Sequence, residues 1–240
     1  MSSNPTLRSN RLFQLAGLLA VAVVIVVVAI VVSSGGGKKT GAASTTGGLQ
    51  DTAQVNKLFA GIPQSGITLG KADAPVTIAE FVDPQCPFCR DFALNELPQV
   101  VQRDVRSGNA KIELRMLTFI GPDSVTAGKT FIAAGNQGKL FNALDIMYHN
   151  QGKENSGYVT DAYLRKVLGA VPGLDVGKAL GDAGAASVTQ ELGTANTFAG
   201  RYGVSSTPTV LVGKSGGTLK QTGATAADIG KAVAAVAPTS

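Results

Sequence analysis

The stretch VTIAEFVDPQCPFC, residues 76–89, decides how this sequence folds. Its first seven residues, 76–82, are rich in β-branched and aromatic side chains, which predicts a strand. Asp83-Pro84 ends that strand. A helix is predicted to begin near Cys86, with Pro87 in its first turn, where a missing backbone N–H costs nothing. The stretch therefore predicts a strand, a tight connection and a helix whose first turn carries a C-x-x-C pair.

Cys86 and Cys89 are the only cysteines of the chain. A lone C-x-x-C pair is either a redox pair or half of a zinc site. A structural zinc ion needs four nitrogen or sulfur ligands. The chain offers no third cysteine, and its single histidine, His149, lies far along the sequence. Carboxylates would have to complete a zinc site, so the pattern favours a redox pair and no metal is expected.

The predicted position of Cys86 at a helix N-terminus gives the two thiols different roles. Its sulfur would face unpaired N–H groups and the positive end of the helix dipole, and both lower a thiol pKa. Cys86 is therefore the predicted nucleophile. Cys89 lies one turn inside the helix and is predicted to be the resolving thiol, which breaks a mixed disulfide formed on Cys86.

The rest of the chain predicts a second strand, a block of short helices, a hairpin and a closing helix. In order, these elements are a strand over 111–119, helices within about 122–202, strands over 209–212 and 218–222 joined at Gly216-Gly217, and a helix over 224–237. This order fits a thioredoxin-type α/β core with a helical insertion between its two halves.

The sequence before residue 49 predicts a membrane anchor and a linker. Residues 12–32 carry no charged side chain, and as a helix they would span about 31 Å, against a hydrocarbon core of about 30 Å. A cleaved signal peptide is the alternative. Residues 33–48 are small and polar, which predicts a flexible linker. The expected organisation is a tail over 1–11, a transmembrane helix over 12–32, a linker over 33–48 and a domain over 49–240.

The charge of the chain gives no support for nucleic-acid binding. The formal net charge is +5, from 21 basic and 16 acidic residues. Four of the basic residues and none of the acidic ones precede residue 49, so the domain itself is close to neutral. A nucleic-acid partner would require a basic face on that domain.

Several motifs carry a resemblance to a known family. They are GIPQSG at 61–66, LG at 69–70, APV at 74–76, EFVDPQCPFC at 80–89, QGK at 137–139 and GVSSTPT at 203–209. From about residue 60 to the C-terminus the chain resembles the DsbA-like thioredoxin family of bacterial exported oxidoreductases. The resemblance implies a thioredoxin fold with inserted helices, and disulfide transfer to or from exported proteins.

The resemblance also assigns roles to residues outside the cysteine pair. Thr207-Pro208 matches the family's cis-proline, which faces the redox pair and would present a backbone edge to an extended substrate. Glu80 matches a buried acid six positions before the first cysteine. It shares a strand face with Ile78 and Val82, and burial there would raise its pKa. Glu80 is thus expected to relay the proton of Cys89, unless it is a solvated surface glutamate.

The residues between the cysteines are expected to contact substrate. Strong oxidants of the family carry histidine where this chain has Phe88, so one contribution to thiolate stability is missing. Phe88, next to Pro87, instead offers an apolar surface to unfolded substrates. His149 is expected to lie at the surface near a helix end and not to act as a base.

The expected function is a membrane-tethered thiol–disulfide oxidoreductase on the extracytoplasmic side, where thiols can become disulfides. An oxidase acting on exported proteins is preferred, and a reductase of the same fold or a non-catalytic tethered holdase are the alternatives. The expected partners are cysteine-containing exported proteins, a membrane redox partner that recycles the pair, and the bilayer around residues 12–32. No cofactor is expected beyond the Cys86–Cys89 disulfide.

Overall fold

The structure is a computed structural model that describes residues 48–237. The predicted tail over 1–11, transmembrane helix over 12–32 and nearly all of the linker over 33–48 lie outside the described residues. Within 48–237, no helix combines the length and the apolar character needed to cross a bilayer.

The described residues alternate between strands and helices, with most helices in one block between the fourth and fifth strands. The strands are β1 (Gln64–Ser65), β2 (Thr68–Leu69), β3 (Val76–Val82), β4 (Ala110–Met116), β5 (Thr209–Lys214) and β6 (Lys220–Thr222). The helices are α1 (Thr52–Phe59), α2 (Pro87–Asn95), α3 (Leu97–Val100, continued by a π-helical turn over Val101–Val105), α4 (Pro122–Gly135), α5 (Leu140–His149), α6 (Asp161–Gly169), α7 (Val176–Asp182), α8 (Ala186–Tyr202) and α9 (Ala226–Val236). This confirms the thioredoxin-type α/β core with its helical insertion.

The strands form one mixed sheet with β3 near its centre. Its order is β1-β2-β4-β3-β5-β6, and β3 runs parallel to β4 and antiparallel to β5. Glu80 lies in register with Leu114 on one side and Val210 on the other. All seven residues of β3 are buried, as expected for a strand covered on both faces. The C-terminal end of β3 is therefore held in a fixed position, and so is the start of the segment that leads to Cys86.

The two faces of β3 pack against different layers. Val76, Ile78 and Val82 belong to the main core, which includes apolar residues of α1, α2 and α5. Ala79 and Phe81 point to the other face, where a smaller core includes residues of α8. The strict alternation along β3 follows from the two-residue period of a strand.

The helical insertion has a buried helix at its centre. Every residue of α5 from Leu140 to Tyr148 is buried, because α1, α2, α4 and α6 pack around it. Two neighbouring helices begin with polar caps: the Thr160 side chain accepts from the Tyr163 N–H, and Asp175 accepts from the Lys178 N–H. Such caps satisfy N–H groups that have no partner within the helix.

The structure differs from the sequence prediction at the end of β4. This strand ends at Met116, whereas the apolar run continues to Phe119. The Leu117 N–H still donates to the Val82 carbonyl at 2.8 Å, and the chain then leaves the sheet. The Ile120 N–H donates to the Asp83 carboxylate at 3.2 Å, so this loop lies beside the segment that precedes Cys86. Helix α1 and the short β1–β2 hairpin were not predicted.

Replacing Phe81 by Ala should lower the free energy of unfolding by about 3–5 kcal/mol, because it leaves a cavity in a closely packed core. Phe81 has no exposed surface, whereas 69% of Phe88 is exposed. The matched control Phe88→Ala should change stability by less than about 0.5 kcal/mol. Equilibrium urea unfolding measures both values. Equal destabilisation by the two substitutions would contradict the placement of Phe81 in the core.

Candidate active site

The cysteine pair lies at the start of α2, just beyond the C-terminal end of β3. Cys86 is the N-cap residue, with extended backbone angles (φ −67°, ψ 120°), and Pro87 occupies the first turn. The Cys86 carbonyl accepts from the Arg90 N–H at 3.1 Å. Both cysteines are free thiols. The helix therefore begins where the sequence predicted.

The Cys86 sulfur is surrounded by hydrogen-bond donors that stabilise its thiolate. They lower the pKa of Cys86 from 9.0 to about 6. The largest contribution comes from the Cys89 thiol. The Thr207 side chain and the backbone N–H groups of Cys89 and Phe88 add to it, while partial burial acts in the opposite direction. At neutral pH most of the Cys86 side chains are therefore ionised.

The protonated form of Cys86 makes a different contact. As a thiol, its Sγ donates to the Thr207 carbonyl at 3.4 Å. This bond favours the thiol, but it is one weak sulfur donor against several donors that favour the thiolate. The thiolate therefore prevails.

Cys89 has the opposite environment. It has no exposed surface, and burial raises its thiol pKa far above the ordinary value. The hydrogen bond to Cys86 and the charge of the Cys86 thiolate raise this pKa further. A Cys89 thiolate released from a disulfide would therefore take up a proton at once, and a Cys89 thiol must lose its proton before it can attack.

The Thr207–Pro208 loop faces the cysteine pair, as the resemblance predicts. Its peptide bond is cis, and the Thr207 carbonyl is the group that contacts Cys86 Sγ. Ser205 and Ser206, which precede it, are exposed. The residues that follow enter β5, which pairs with β3. The sheet thus brings this loop to Cys86 across 121 positions of sequence.

Glu80 lies inside the core beneath the site. Its side chain is 3% exposed, and burial raises its pKa from 4.5 to about 8. An unfolded glutamate ionises at its ordinary pKa. The folded state therefore loses stability as the pH rises from about 4.5 through about 8. The alternative prediction that Glu80 is a solvated surface residue is therefore wrong. Its carboxyl group lies in the core and has a pKa of about 8.

The two residues between the cysteines point outward. Pro87 is exposed, and Phe88 is one of the few large apolar side chains of residues 48–237 with most of its surface in solvent. His149 lies at the end of α5, far less exposed than expected. Its side chain is 9% exposed, and Nδ1 contacts Asp51 Oδ2 at 3.0 Å.

A buried carboxylate that the sequence reading missed holds the segment before Cys86. Asp83 Oδ1 accepts from the Gln85 N–H at 2.9 Å and from the Ser124 hydroxyl at 2.5 Å, and Oδ2 accepts from the Ile120 N–H. The Cys86 N–H donates to the Asp83 carbonyl at 3.1 Å. From the sequence, Asp83 is only the residue that ends a strand, because Asp-Pro in a turn gives no further signal.

The Gln85 side chain ties the same segment to the helical insertion. Its Nε2 donates to Ser124 Oγ at 3.1 Å, and its Oε1 accepts from the Asn155 N–H at 2.8 Å. Gln151 Nε2 donates to the Pro84 carbonyl at 2.9 Å. These bonds fix the backbone on which Cys86 is carried.

Tyr148 of α5 is a further member of the site that the sequence reading missed. Its hydroxyl donates to the Asp83 carbonyl at 3.0 Å. Burial raises its pKa well above the ordinary value, and the charges of Cys89 and Glu80 raise it further. A tyrosine within the apolar run of α5 was the available signal, but such residues are more often core side chains.

No group of three or more His, Cys, Asp or Glu side chains among residues 48–237 is arranged to hold a metal ion. Fold and site together define a thioredoxin-type dithiol centre: an ionised cysteine at a helix N-terminus, a buried partner thiol and a facing cis-proline loop.

Comparison with known proteins agrees with this class. The family model described as "Thioredoxin" matches residues 63–224. The chain is 29% identical over 160 residues to the "Probable disulfide bond formation protein D" of Bacillus cereus, covering 65% of this chain and 73% of that protein.

Two solved structures are similar over most of the domain. The oxidised BdbD of Bacillus subtilis superposes with a TM-score of 0.62 at 19% identity, over 72% of this chain and 97% of that one. A thioredoxin-like oxidoreductase from Silicibacter pomeroyi gives 0.58 at 26% identity, over 78% and 96%. The chain belongs to the thioredoxin family and is one of its DsbA-like thiol–disulfide oxidoreductases.

Iodoacetamide should alkylate Cys86 with a half-maximal rate near pH 6 and leave Cys89 unmodified, because at that pH Cys86 is partly ionised, whereas Cys89 is a protonated thiol with no exposed surface. Mass spectrometry of the labelled chain at pH 4 to 9 measures both sites. In the control Cys86→Ala, labelling should be very slow throughout this range. Faster labelling of Cys89 than of Cys86 would contradict the assignment.

Proposed function

We propose that this chain introduces disulfides into exported proteins by donating the Cys86–Cys89 disulfide. A substrate thiolate attacks Cys86 Sγ, the Cys86–Cys89 bond breaks, and Cys89 leaves as a thiolate that takes up a proton. A second substrate thiolate then attacks the substrate sulfur of the mixed disulfide and releases Cys86 as a thiolate. The substrate dithiol is oxidised and the Cys86–Cys89 disulfide is reduced.

The observation that carries this proposal is the position of Cys86 at the N-terminus of α2, where the Cys89 thiol and the N–H groups of Phe88 and Cys89 stabilise its thiolate and lower its pKa to about 6. A stabilised thiolate favours the reduced pair over the disulfide, and a pair that favours its reduced form is an oxidant toward other thiols. The same low pKa makes Cys86 a good leaving group in the last step. A reductase would use the same atoms in the opposite direction. It would have to convert the stabilised Cys86 thiolate into a disulfide, and the stabilisation of the thiolate opposes that step.

A purely binding role is less consistent with the site. Binding of unfolded chains by a holdase does not require two thiols, one with a lowered and one with a raised pKa. Strongly displaced pKa values are typical of catalytic groups. The name of the Bacillus cereus relative, a probable disulfide bond formation protein, also supports the oxidase.

Glu80 is the proposed acid and base for Cys89. With a pKa of about 8 it holds a proton at neutral pH and can lose it, which suits a group that gives a proton to Cys89 in one direction and removes it in the other.

The proposed substrate surface surrounds Cys86. Pro87 and Phe88 would contact apolar side chains of an unfolded chain, and Thr207 and Pro208 would present a backbone edge to it. Main-chain hydrogen bonds along such an edge do not depend on sequence. This would let one site serve many proteins.

The proposed location is the extracytoplasmic face of the cell membrane. Residues 12–32 would span the bilayer, and residues 33–48 would link them to the domain over 49–240. A membrane redox partner would take up two electrons, and the Cys89 thiol would lose its proton, to restore the disulfide. The support is the uncharged apolar run of residues 12–32 and the redox chemistry of the pair, since disulfides persist outside the cytoplasm.

Replacing Cys89 by Ala should trap mixed disulfides between Cys86 and exported proteins, because no resolving thiol remains. The adducts should appear on non-reducing gels of the membrane fraction and disappear on reduction. The double variant Cys86→Ala, Cys89→Ala is the control and should give none. Adducts confined to cytoplasmic proteins, or present in the control, would overturn the proposal.

A further inference from the structure

Asp145 is a second buried carboxyl group in the neighbourhood of Glu80. It lies in the middle of α5 and is 3% exposed. Its Oδ1 has no hydrogen-bond partner among the described residues. Buried polar atoms are nearly always hydrogen-bonded, so an exception calls for an explanation.

Asp145 and Glu80 are buried in the same core, since Ile78 and Val82, which share the strand face of Glu80, pack in one cluster with apolar residues of α5. Burial raises the pKa of Asp145 well above its ordinary value, and the negative charge of Glu80 raises it further. Two buried carboxylates close together do not both ionise readily. Burial and mutual repulsion thus both favour the protonated forms of these carboxyl groups.

A cavity connects Asp145 with the surface. It has a volume of about 440 Å³ and lies between α1, the end of α2, the α3 segment and α5. Buried Asp145 and Val55 line its inner part, and the exposed side chains of Gln54, Lys57 and Gln102 line its rim. Asp145 is thus a buried side chain that lines a space open to solvent.

Other ionisable groups lie around this position on the elements that pack against α5. They are Lys57 on α1, Cys89 and Arg90 on α2, Arg106 after the α3 segment, Glu80 on β3, and Tyr148 and His149 on α5 itself. His149 is bonded to Asp51, and Arg106 donates to the Leu58 and Ala60 carbonyls. Within the described residues, no side chain of α4 or α6 lines the cavity. Asp145 is therefore the carboxyl group that lines it.

We propose that Asp145 carries protons between Glu80 and the cavity during each redox cycle. This rests on the proposed role of Glu80. When Cys89 attacks a mixed disulfide on Cys86, the Asp145 carboxyl group releases its proton to the solvent in the cavity and takes up the proton of Glu80. The Glu80 carboxylate formed in this way accepts the Cys89 proton, so that one proton in total enters the solvent. The new bond is Cys86–Cys89, and the substrate leaves as a thiolate. Asp145 acts through Glu80 and touches neither sulfur.

The test follows disulfide formation in the reduced full-length chain, with oxidised glutathione as the oxidant, from pH 5 to 9. Asp145→Asn should slow resolution of the mixed disulfide at neutral pH by about tenfold, a modest loss for an acid–base group. The dependence of Cys86 alkylation on pH should not change. Glu80→Gln should slow the same step, and the double variant should be no slower than Glu80→Gln alone.

Asp104→Asn is the matched control, because Asp104 is also a buried aspartate, 4% exposed, but is paired with Arg103 away from the cavity. Its resolution rate should equal that of the unmodified chain. If Glu80→Gln slows resolution and Asp145→Asn does not, the role of Asp145 is overturned and that of Glu80 stands. If neither slows it, the proposed role of Glu80 fails as well.

Two further measurements test the role of Asp145 if Asp145→Asn does not fold. In Asp145→Ala, formate entering the cavity should restore resolution, whereas Glu80→Gln should not respond; no restoration would contradict an exit through the cavity. In the reduced unmodified chain with isotope-labelled aspartate, the infrared spectrum at pH 7 should contain a label-sensitive band of a protonated carboxyl group that is absent from Asp145→Ala. Its absence would also contradict the proposal.

Discussion

A helix begins with backbone N–H groups that have no partner within the helix. The rest of this site depends on the contact between such N–H groups and a cysteine sulfur. In α2 this sulfur is that of Cys86. Proline in the first turn leaves the N–H groups of Phe88 and Cys89 to face it, and the Cys89 thiol and the Thr207 side chain add two more donors. A sulfur held among several donors is stabilised as an anion. The chemistry proposed for the chain follows from that anion.

The position of these donors is set by the sheet and by the insertion together. Burial of β3 on both faces fixes the point at which the chain leaves the sheet, and β5 brings Thr207 to the same edge. The insertion secures the segment between them through Ser124, Asn155 and Tyr148, which bond to Asp83 and Gln85. The inserted helices therefore do more than cover the core, since they hold the loop that carries Cys86. They also contribute Asp145, the carboxyl group proposed to connect Glu80 with solvent.

Much of this arrangement was predictable from residues 76–89. The β-rich run predicted β3 with its correct ends, and Pro87 predicted the start of α2. The spacing of Glu80 from Cys86, read through a family resemblance, predicted a buried acid. The less predictable parts depend on contacts between distant segments. No local pattern shows that Asp83, which follows the end of a strand, is also a buried acceptor of three hydrogen bonds. The end of β4 likewise depends on a distant contact, the hydrogen bond of the Ile120 N–H. Asp145 and Tyr148 lie in an apolar run, and only the packing of α5 against α2 brings them to the site.

The reduction potential of the Cys86–Cys89 pair shows whether the stabilised Cys86 thiolate makes this pair an oxidant, because stabilisation of the thiolate makes the reduced form more favourable. It is measured by equilibrating the full-length chain with mixtures of reduced and oxidised glutathione and quantifying the two redox forms. We predict an oxidising pair, with a potential closer to about −120 mV than to about −270 mV, the values of a strong oxidant and of a reductant of this fold. A value near −270 mV would contradict it, since the donors around Cys86 would then not favour the reduced state.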